Sequence, residues 1–488
     1  MIVFTFDASW WLILVFFFDL TVRIAAIIIV PRNRRPTAAM AWLLAIYFIP
    51  LIGVFLFLLI GTPRLPRKRR RMQRRINEYI SETSAHLDFG THRPHAPEWF
   101  TSLVTMNRNL GAMPLAGDNT AHLIADYQES LDTMADAIRK AKDYVHVEFY
   151  ILQTDDSTDN FFRALEEAAS RGIAVRVLLD HWANRGKPFY KKTLKRLDAM
   201  GAQWHLMLPV QPLKGKYQRP DLRNHRKLLV VDGDVAFLGS QNVTDSTYNL
   251  KKNIKRGLHW VDLMAQLEGP VVASVNAVFL SDWYSETEQI LTDEIDLFDV
   301  AAGPGELDCQ VVPSGPGFEV ELNLRLFAGL LYAAQRKISI VSPYFVPDEA
   351  MLLAITTACH RGVEVELFVS EEGDQAMVYH AQRSYYEVLL RAGVRIWMYR
   401  KPYILHTKCF TIDDEVAVIG SSNMDMRSFG LNMEISLLVR GEEFVNEMRG
   451  VEDIYRALSR ELTREEWSKQ PLRSTVLDNL ARLTSSLQ

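Results

Sequence analysis

Cysteine is scarce: the 488 residues hold three, Cys309, Cys359 and Cys409, none of them in a CxxC pair. That excludes a disulfide framework and a cysteine-rich zinc site, and suits a soluble part kept in a reducing compartment. Low-complexity composition is missing as well. With 48% hydrophobic and 23% charged residues, 20 Pro and 25 Gly, the chain is neither disordered nor fibrous. Its length exceeds what one core usually accommodates and predicts two or three domains.

Acidic residues are nearly absent from the start of the chain. Residues 1–76 carry twelve Lys and Arg against two Asp and Glu, a net +10, leaving 43 basic and 57 acidic residues, a net −14, in the rest. This split points to a membrane or polyanion contact at one end and away from a nucleic-acid protein, which would be basic throughout. Residues 10–30 are apolar apart from Asp19, Thr21 and Arg23, and residues 37–61 contain no charge at all. About 20 helical residues cross a bilayer core of ~30 Å, so the two stretches predict two membrane-spanning helices joined by a tight hairpin at 31–36. No basic residue precedes the first stretch and no small-residue cleavage site follows it, which distinguishes it from a signal peptide. Asp19 and Arg23, four apart, are expected to neutralise each other.

Segment 64–75 holds eight basic residues, Arg64, Arg67, Lys68, Arg69, Arg70, Arg71, Arg74 and Arg75, against three in the hairpin loop. That asymmetry predicts a multi-pass protein of the cytoplasmic membrane with both termini and the soluble body inside. The same cluster would bind anionic headgroups at ~1 kcal/mol per residue.

From about residue 120 apolar runs alternate with helical stretches, the pattern of an α/β fold. A strand over 144–152, a helix over 159–171 and a strand over 173–179 recur as 337–346, 349–361 and 363–369, with Arg171-Gly172 and Arg361-Gly362 closing the helices. Tyr150-Ile151 and Tyr344-Phe345 occupy matching places. The Pro- and Gly-rich stretch from Pro304 to Gly317 marks the boundary. The expected organisation is 1–76 membrane hairpin and basic segment, 77–118 linker, 119–303 first repeat and 304–488 second.

A second pair of segments makes the repeat certain. One copy reads His225-Arg-Lys227-Leu-Leu-Val-Val-Asp232 and then Gly239-Ser-Gln-Asn242; the other reads His406-Thr-Lys408-Cys-Phe-Thr-Ile-Asp413 and then Gly420-Ser-Ser-Asn423. His-x-Lys at period two puts both side chains on one face of a strand. Asp232 and Asp413, next to Gly233 and Asp414, are expected to shape turns rather than move protons. His86, His92, His95, His122, His146, His181, His205, His259, His360 and His380 belong to no repeated constellation and read as surface or core residues.

If the two copies face each other, two imidazoles, two ammonium groups and two Asn side chains converge. That is a receptor for a tetrahedral oxyanion: Lys227 and Lys408 supply charge, and Asn242, Asn423, Ser240 and Ser421 can donate hydrogen bonds. One neutral His can attack phosphorus while the other, protonated, gives its proton to the leaving oxygen. No metal or other cofactor is required, and the carboxylate clusters of a two-metal phosphodiesterase are not evident. Each histidine needs an acceptor on its far nitrogen, and Asp262 and Glu434, which follow their own histidines by 37 and 28 residues, are the candidates. The extra residues of the first copy fall around 251–256, a basic insertion. Lys214, Lys216, Arg219, Arg223, Lys251, Lys252, Lys255 and Arg256 could hold an anionic headgroup or solvate a loop. Residues 472–487 read as a helix with leucines on one face, packed on the body or lying on the membrane.

These motifs resemble those of the phospholipase D superfamily, with its duplicated HxK(x)4D and GSxN. Ala41-Trp42-Leu43-Leu44, Asp221-Leu-Arg-Asn-His-Arg-Lys227, Gly269-Pro270, Ser314-Gly-Pro-Gly317, the run from Ser342 to Pro347 and Asn423-Met-Asp-Met-Arg-Ser428 bring the resemblance to the bacterial cardiolipin synthases, over nearly the whole chain. It implies two similar α/β/α-sandwich domains about a pseudo-two-fold axis. It also implies phosphatidyl transfer between two phosphatidylglycerol molecules, giving cardiolipin and glycerol. By analogy His225 is the nucleophile and His406 the general acid and base, with the carboxylate of each half supporting the other half's histidine: Asp262 with His406, Glu434 with His225. The implied partners are phosphatidylglycerol and other membrane phospholipids, with no nucleic acid; a homodimer is compatible with the sequence. A phospholipase D hydrolase, a phosphatidylserine synthase and a membrane-bound nuclease remain as alternatives, the last disfavoured by the acidic body.

Overall fold

The computed structural model describes residues 8–32, 34, 36–61, 65–84, 96–211, 213, 216–291, 303, 305–318 and 320–483. It forms two compact units, Met1–Arg64 and Leu65–Gln488.

In the first unit, helix α1 (Ala8–Ile29) contains an apolar stretch, Trp10–Ile29, long enough to cross a membrane. Asp19 and Arg23 pair on it at 2.6 Å, as their spacing predicts. The second expected span is not one helix. It is divided into α2 (Pro36–Phe48) and α3 (Pro50–Ile60), with Ile49 out of the helical region at φ −135°, ψ 70°. Pro50 causes the break, since its ring disfavours helical backbone at the residue before it and it has no N–H to bond back. Gly53 is required where α3 passes α2: a Cβ there would lie 2.5 Å from the Ala45 carbonyl oxygen.

The second unit is built on a sixteen-stranded sheet, fifteen strands in one continuous order and the short strand Arg223–Asn224 off it. Its first half contributes β1 (Leu115–Ile124), β2 (Tyr144–Phe149), β3 (Ala174–Asp180), β4 (Gln203–Met207), β5 (Lys227–Val231), β6 (Val235–Gly239) and β7 (Met264–Glu268). The second half contributes β8 (Leu307–Ser314), β9 (Lys337–Val341), β10 (Glu364–Ser370), β11 (Arg395–Tyr399), β12 (Cys409–Ile412), β13 (Val416–Gly420), β14 (Asn432–Arg440) and β15 (Ser459–Leu462). From the centre outward the first half runs β1-β7-β6-β5-β2-β3-β4 and the second β8-β14-β13-β12-β9-β10-β11-β15. The seven strands of the first half correspond in order to the first seven of the second, which adds β15 at its outer edge, and antiparallel pairing of β1 with β8 joins the halves. This is the pseudo-two-fold arrangement that the repeat predicts.

Period-two alternation explains the layers. In β5, Leu229 and Val231 pack with helices Tyr127–Arg139 and Asp159–Ser170 on one face, while Leu228 and Val230 meet α5 (Val271–Thr287) on the other. In β12, Phe410 and Ile412 face the helices Leu322–Ala333 and Glu349–His360, and Cys409 faces the opposite way, into the core that also holds α6 (Glu442–Ala457). That core spans both halves, which is why residues 65–488 cohere as one body.

Segment 77–118, read above as a linker, carries structure of its own. Helix α4 (Arg67–Thr83) buries Met72 and Ile80, and its Arg69 grips Glu286 of α5 through two hydrogen bonds of 2.8 and 2.7 Å. Helix Glu98–Gly111 buries Phe100 in the second half's core, and β1 starts already at Leu115. Arg64, His86, His92, His95, Pro304 and Leu487 lie outside the described residues.

The C-terminal helix, Leu472–Arg482, packs on the body through Asp478, which accepts from His380 at 2.7 Å and from Arg383 at 3.2 Å, and it leaves Leu472, Val476 and Leu480 exposed.

Candidate active site

Each motif histidine is seated by a short parallel pairing that crosses between the halves. Arg223–Asn224 pairs with Asn432–Met433 at the start of β14, and the His225 N–H donates to the Met433 carbonyl at 2.8 Å. In the mirror arrangement His259–Val261 pairs with Tyr403–Leu405, and the His406 N–H donates to the Val261 carbonyl at 2.7 Å. The residue that follows each partner is the carboxylate. His225 Nδ1 therefore lies 2.9 and 3.1 Å from the Glu434 carboxylate oxygens, and His406 Nδ1 lies 2.7 Å from Asp262 Oδ1. The exchange of carboxylates between halves is thus a consequence of strand order. The Nε2 of neither ring has a hydrogen-bond partner among the described residues.

Lys227 opens β5 and Lys408 immediately precedes β12, and each ammonium donates to the carbonyl of the histidine two residues before it, Lys227 at 2.5 Å. Both are buried. Burial holds the Lys227 pKa well below the ordinary lysine value and lowers that of Lys408 to about 8, with Glu434 and Asp262 pulling the other way. Each of the four groups, His225, His406, Lys227 and Lys408, lies close enough to others of the set for their charges to act on one another.

The two histidine–carboxylate pairs differ in strength. Burial, then Lys227 and Lys408, push His225 well below the usual imidazole value. Burial and Lys408 also lower His406, but Asp262 opposes them. Burial alone would raise the Asp262 pKa; the charge and hydrogen bond of His406, with Lys408 and Ser240, outweigh it and bring the value to about 2. Glu434 is instead raised by burial to about 7, in spite of Lys227 and hydrogen bonds from Ser421, Ser428 and Asn432.

The GSxN residues stand behind the carboxylates rather than facing the pocket. Ser240 Oγ donates to Asp262 Oδ1 and Ser421 Oγ to Glu434 Oε2, both at 2.6 Å, so these hydroxyls hold the acids and not an oxyanion. Asn242 takes the Ile151 N–H at 3.0 Å and donates to the Tyr248 hydroxyl at 2.8 Å, while Asn423 donates to Ser428 Oγ at 3.3 Å. The motif aspartates stand at the far ends of their strands. Asp232 accepts from the N–H groups of Lys142, Asp143 and Tyr144, and Asp413 from those of Gln335, Arg336 and Lys337, at 2.7 to 3.0 Å. Both have positive φ, 54° and 51°, which Asp tolerates, and both close turns there.

Three tyrosines that motif spacing does not single out for chemistry line the pocket. The Tyr150 ring lies 4.7 Å from that of His225, and Tyr248 and Tyr344 each lie 6.4 Å from His406. Tyr150 and Tyr344 hold matching places in the repeat, which was the available signal. Tyr248 comes from the loop preceding the basic insertion, which forms helix Lys251–Arg256, and both Tyr248 and Asn249 are left-handed at φ 59° and 54°. Several basic residues near the first motif are already neutralised: Arg219 pairs with Asp221, Arg223 with buried Asp180 and Arg256 with Glu372. Lys251, Lys252 and Lys255 are exposed; Lys214 and the side chain of Lys216 lie outside the described residues. His146 is a core residue, stacked on Phe279 at 4.2 Å and lowered by burial to about 3.

Comparison with known proteins agrees with this geometry. A family model described as "Cardiolipin synthase, PLD-like domain" matches residues 134–274 and 328–451, one match in each half, and one described as "Phospholipase_D-nuclease N-terminal" matches 21–61. Cardiolipin synthase A of Proteus mirabilis is 32% identical over 491 residues, covering 98% of both chains. The Serratia proteamaculans enzyme of the same name is 32% identical over 489 residues, again 98% of both. Among solved structures, the phosphatidylserine synthase of Haemophilus influenzae shares the fold, with a TM-score of 0.58 at 16% identity over 79% of this chain and 99% of its own. The chain belongs to the cardiolipin synthases of the phospholipase D superfamily, a family of phosphatidyltransferases.

Proposed function

We propose that the protein transfers a phosphatidyl group from one phosphatidylglycerol to the glycerol hydroxyl of a second, forming cardiolipin and glycerol. The observation that carries this is the pair of buried imidazoles, each fixed through Nδ1 by the other half's carboxylate and each with Nε2 unengaged. His225, held neutral, is the nucleophile. Its Nε2 forms the bond to phosphorus as the glycerol oxygen leaves, and His406, whose proton is favoured by the Asp262 anion, protonates that oxygen. In the second step His406 takes the proton of the incoming hydroxyl, whose oxygen displaces His225. Lys227 and Lys408 hold the phosphoryl oxygens, and one phosphodiester replaces another, so no nucleotide is consumed. One chain supplies both histidines, so the site needs no second copy.

The acidic body and the apolar N-terminal unit support a lipid rather than a nucleic-acid substrate. The first half is taken to begin with β1 at Leu115, and the second at about residue 304. The excess of basic residues after the second apolar stretch supports two membrane passes with the body in the cytoplasm.

The test is to give the purified protein phosphatidylglycerol alone, then with CDP-diacylglycerol or phosphatidylethanolamine added, and identify the released group. Glycerol release with cardiolipin formation is expected from phosphatidylglycerol alone; release of CMP or ethanolamine in its place would name another donor.

A further inference from the structure

Resting on this transfer reading, a further requirement follows from the chemistry: the site must accommodate two phosphodiester anions. Lys227 and Lys408 serve the phosphorus that reacts. The acceptor lipid keeps its own phosphate, one glycerol away from the attacking oxygen. In-line displacement puts nucleophile and leaving oxygen on opposite sides of phosphorus. With His225 as nucleophile, the departing glycerol lies toward His406. The incoming hydroxyl takes that same position in the second step, so the acceptor's phosphate must lie outward from His406.

Three segments form the rim there. The Tyr248 ring meets His406 and also carries the Lys187 ammonium, 5.2 Å from its centroid. Helix Lys251–Arg256 brings Lys252, and Arg256 fastens it to the opposite half through Glu372 at 2.5 Å and the Gly373 carbonyl at 3.2 Å. The loop so fastened presents Asp374, already engaged by the Tyr344 hydroxyl at 3.1 and 3.0 Å. Lys187 is half-buried, and its ammonium has neither a hydrogen bond nor an ion pair with any described residue. Burial and the charge of Lys252 lower its pKa to about 8, with Asp374 acting in the other direction. A cation that is desolvated and lacks a partner gains from a bound anion. On the His225 side the counterpart cation, Arg427, already donates to the Asp221 carbonyl at 2.8 Å.

We infer that Lys187, backed by Lys252, forms the acceptor subsite and binds the phosphodiester of the lipid whose glycerol hydroxyl attacks. When that lipid is seated, the bond from phosphorus to His225 Nε2 breaks as the bond from the acceptor oxygen forms, and the hydroxyl proton passes to His406.

The subsite can be separated from the donor site because exchange of free glycerol into phosphatidylglycerol needs no second lipid phosphate. Full-length enzyme and its Lys187→Met, Lys187→Arg and Arg427→Gln variants are assayed on phosphatidylglycerol with labelled glycerol, scoring cardiolipin formation and label exchange side by side. Lys187→Met is expected to lower the ratio of cardiolipin formation to exchange about tenfold, the loss of one charge-assisted hydrogen bond. Lys187→Arg is expected to restore it. Parallel loss of both activities, an unchanged ratio, or a selective fall in Arg427→Gln and not in Lys187→Met would overturn the assignment. A wild-type enzyme that carries out neither reaction would overturn the transfer reading itself, and this assignment with it.

Discussion

Two imidazoles from the same motif rest on carboxylates of unlike strength. Asp262, at about 2, stays ionised and favours a proton on His406, whereas Glu434, at about 7, gives His225 a weaker anion. With the roles proposed above, this difference predicts how the pH profile divides. The acid limb of kcat/KM belongs to His225, which must lose its proton; because its pKa is lowered, that limb lies below about pH 6.5. The alkaline limb belongs to His406, which must keep its proton and whose pKa burial and Lys408 also lower, though less far than that of His225 because Asp262 opposes them. Asp262→Asn removes the anion that raises His406, so the alkaline limb should move to lower pH and the rate should fall about a hundredfold or more. Glu434→Gln should slow the reaction without moving that limb. An alkaline limb shifted by Glu434→Gln and not by Asp262→Asn would reverse the two roles.

At the scale of elements, the turns that close the repeats hang on Asp232 and Asp413, each holding three backbone N–H groups from a left-handed position. Asp232→Ala should destabilise the protein by roughly 2 kcal/mol or more, since it strands those donors, while Asp232→Asn, which keeps an acceptor and tolerates the backbone, should cost less. Thermal unfolding of the two variants checks this, and equal midpoints would contradict it. The doubled strand–helix–strand pattern and the His-x-Lys faces were legible in the sequence because period and spacing encode them locally. The exchange of Asp262 and Glu434 was legible only through family resemblance, since it arises from pairings across the halves. Ser240 and Ser421 read equally well as phosphate donors until the residues just before β7 and at the start of β14 brought the acids beside them. The break at Ile49 was present in Pro50, yet the apolar run around it reads as continuous. Lys187 and Tyr248 were hidden because they lie on loops that only the tertiary fold brings to His406.

Across the whole molecule, basic charge is concentrated where the body begins. Helix α4 packs on α5 through Arg69, Met72 and Ile80 and directs Arg71 and Arg75 outward, beside a cavity of about 300 Å³ that Lys68, Tyr284 and Glu288 also line. The body starting at Leu65 is therefore expected to bind phosphatidylglycerol vesicles without its hydrophobic anchor, and to be released by salt. Arg71→Glu with Arg75→Glu should weaken that binding about tenfold or more at low salt. Vesicle co-sedimentation reads the difference, and undiminished binding would place the contact elsewhere.

The same scale holds the central claim, that two half-sites close on one phosphorus with a fixed division of labour. Acid quenching during turnover of phosphatidylglycerol carrying labelled phosphate, followed by peptide mapping, tests it most directly. Label on His225, and none in a folded His225→Ala protein that also makes no cardiolipin, is the predicted result. Label on His406, or continued cardiolipin synthesis by His225→Ala, would contradict it.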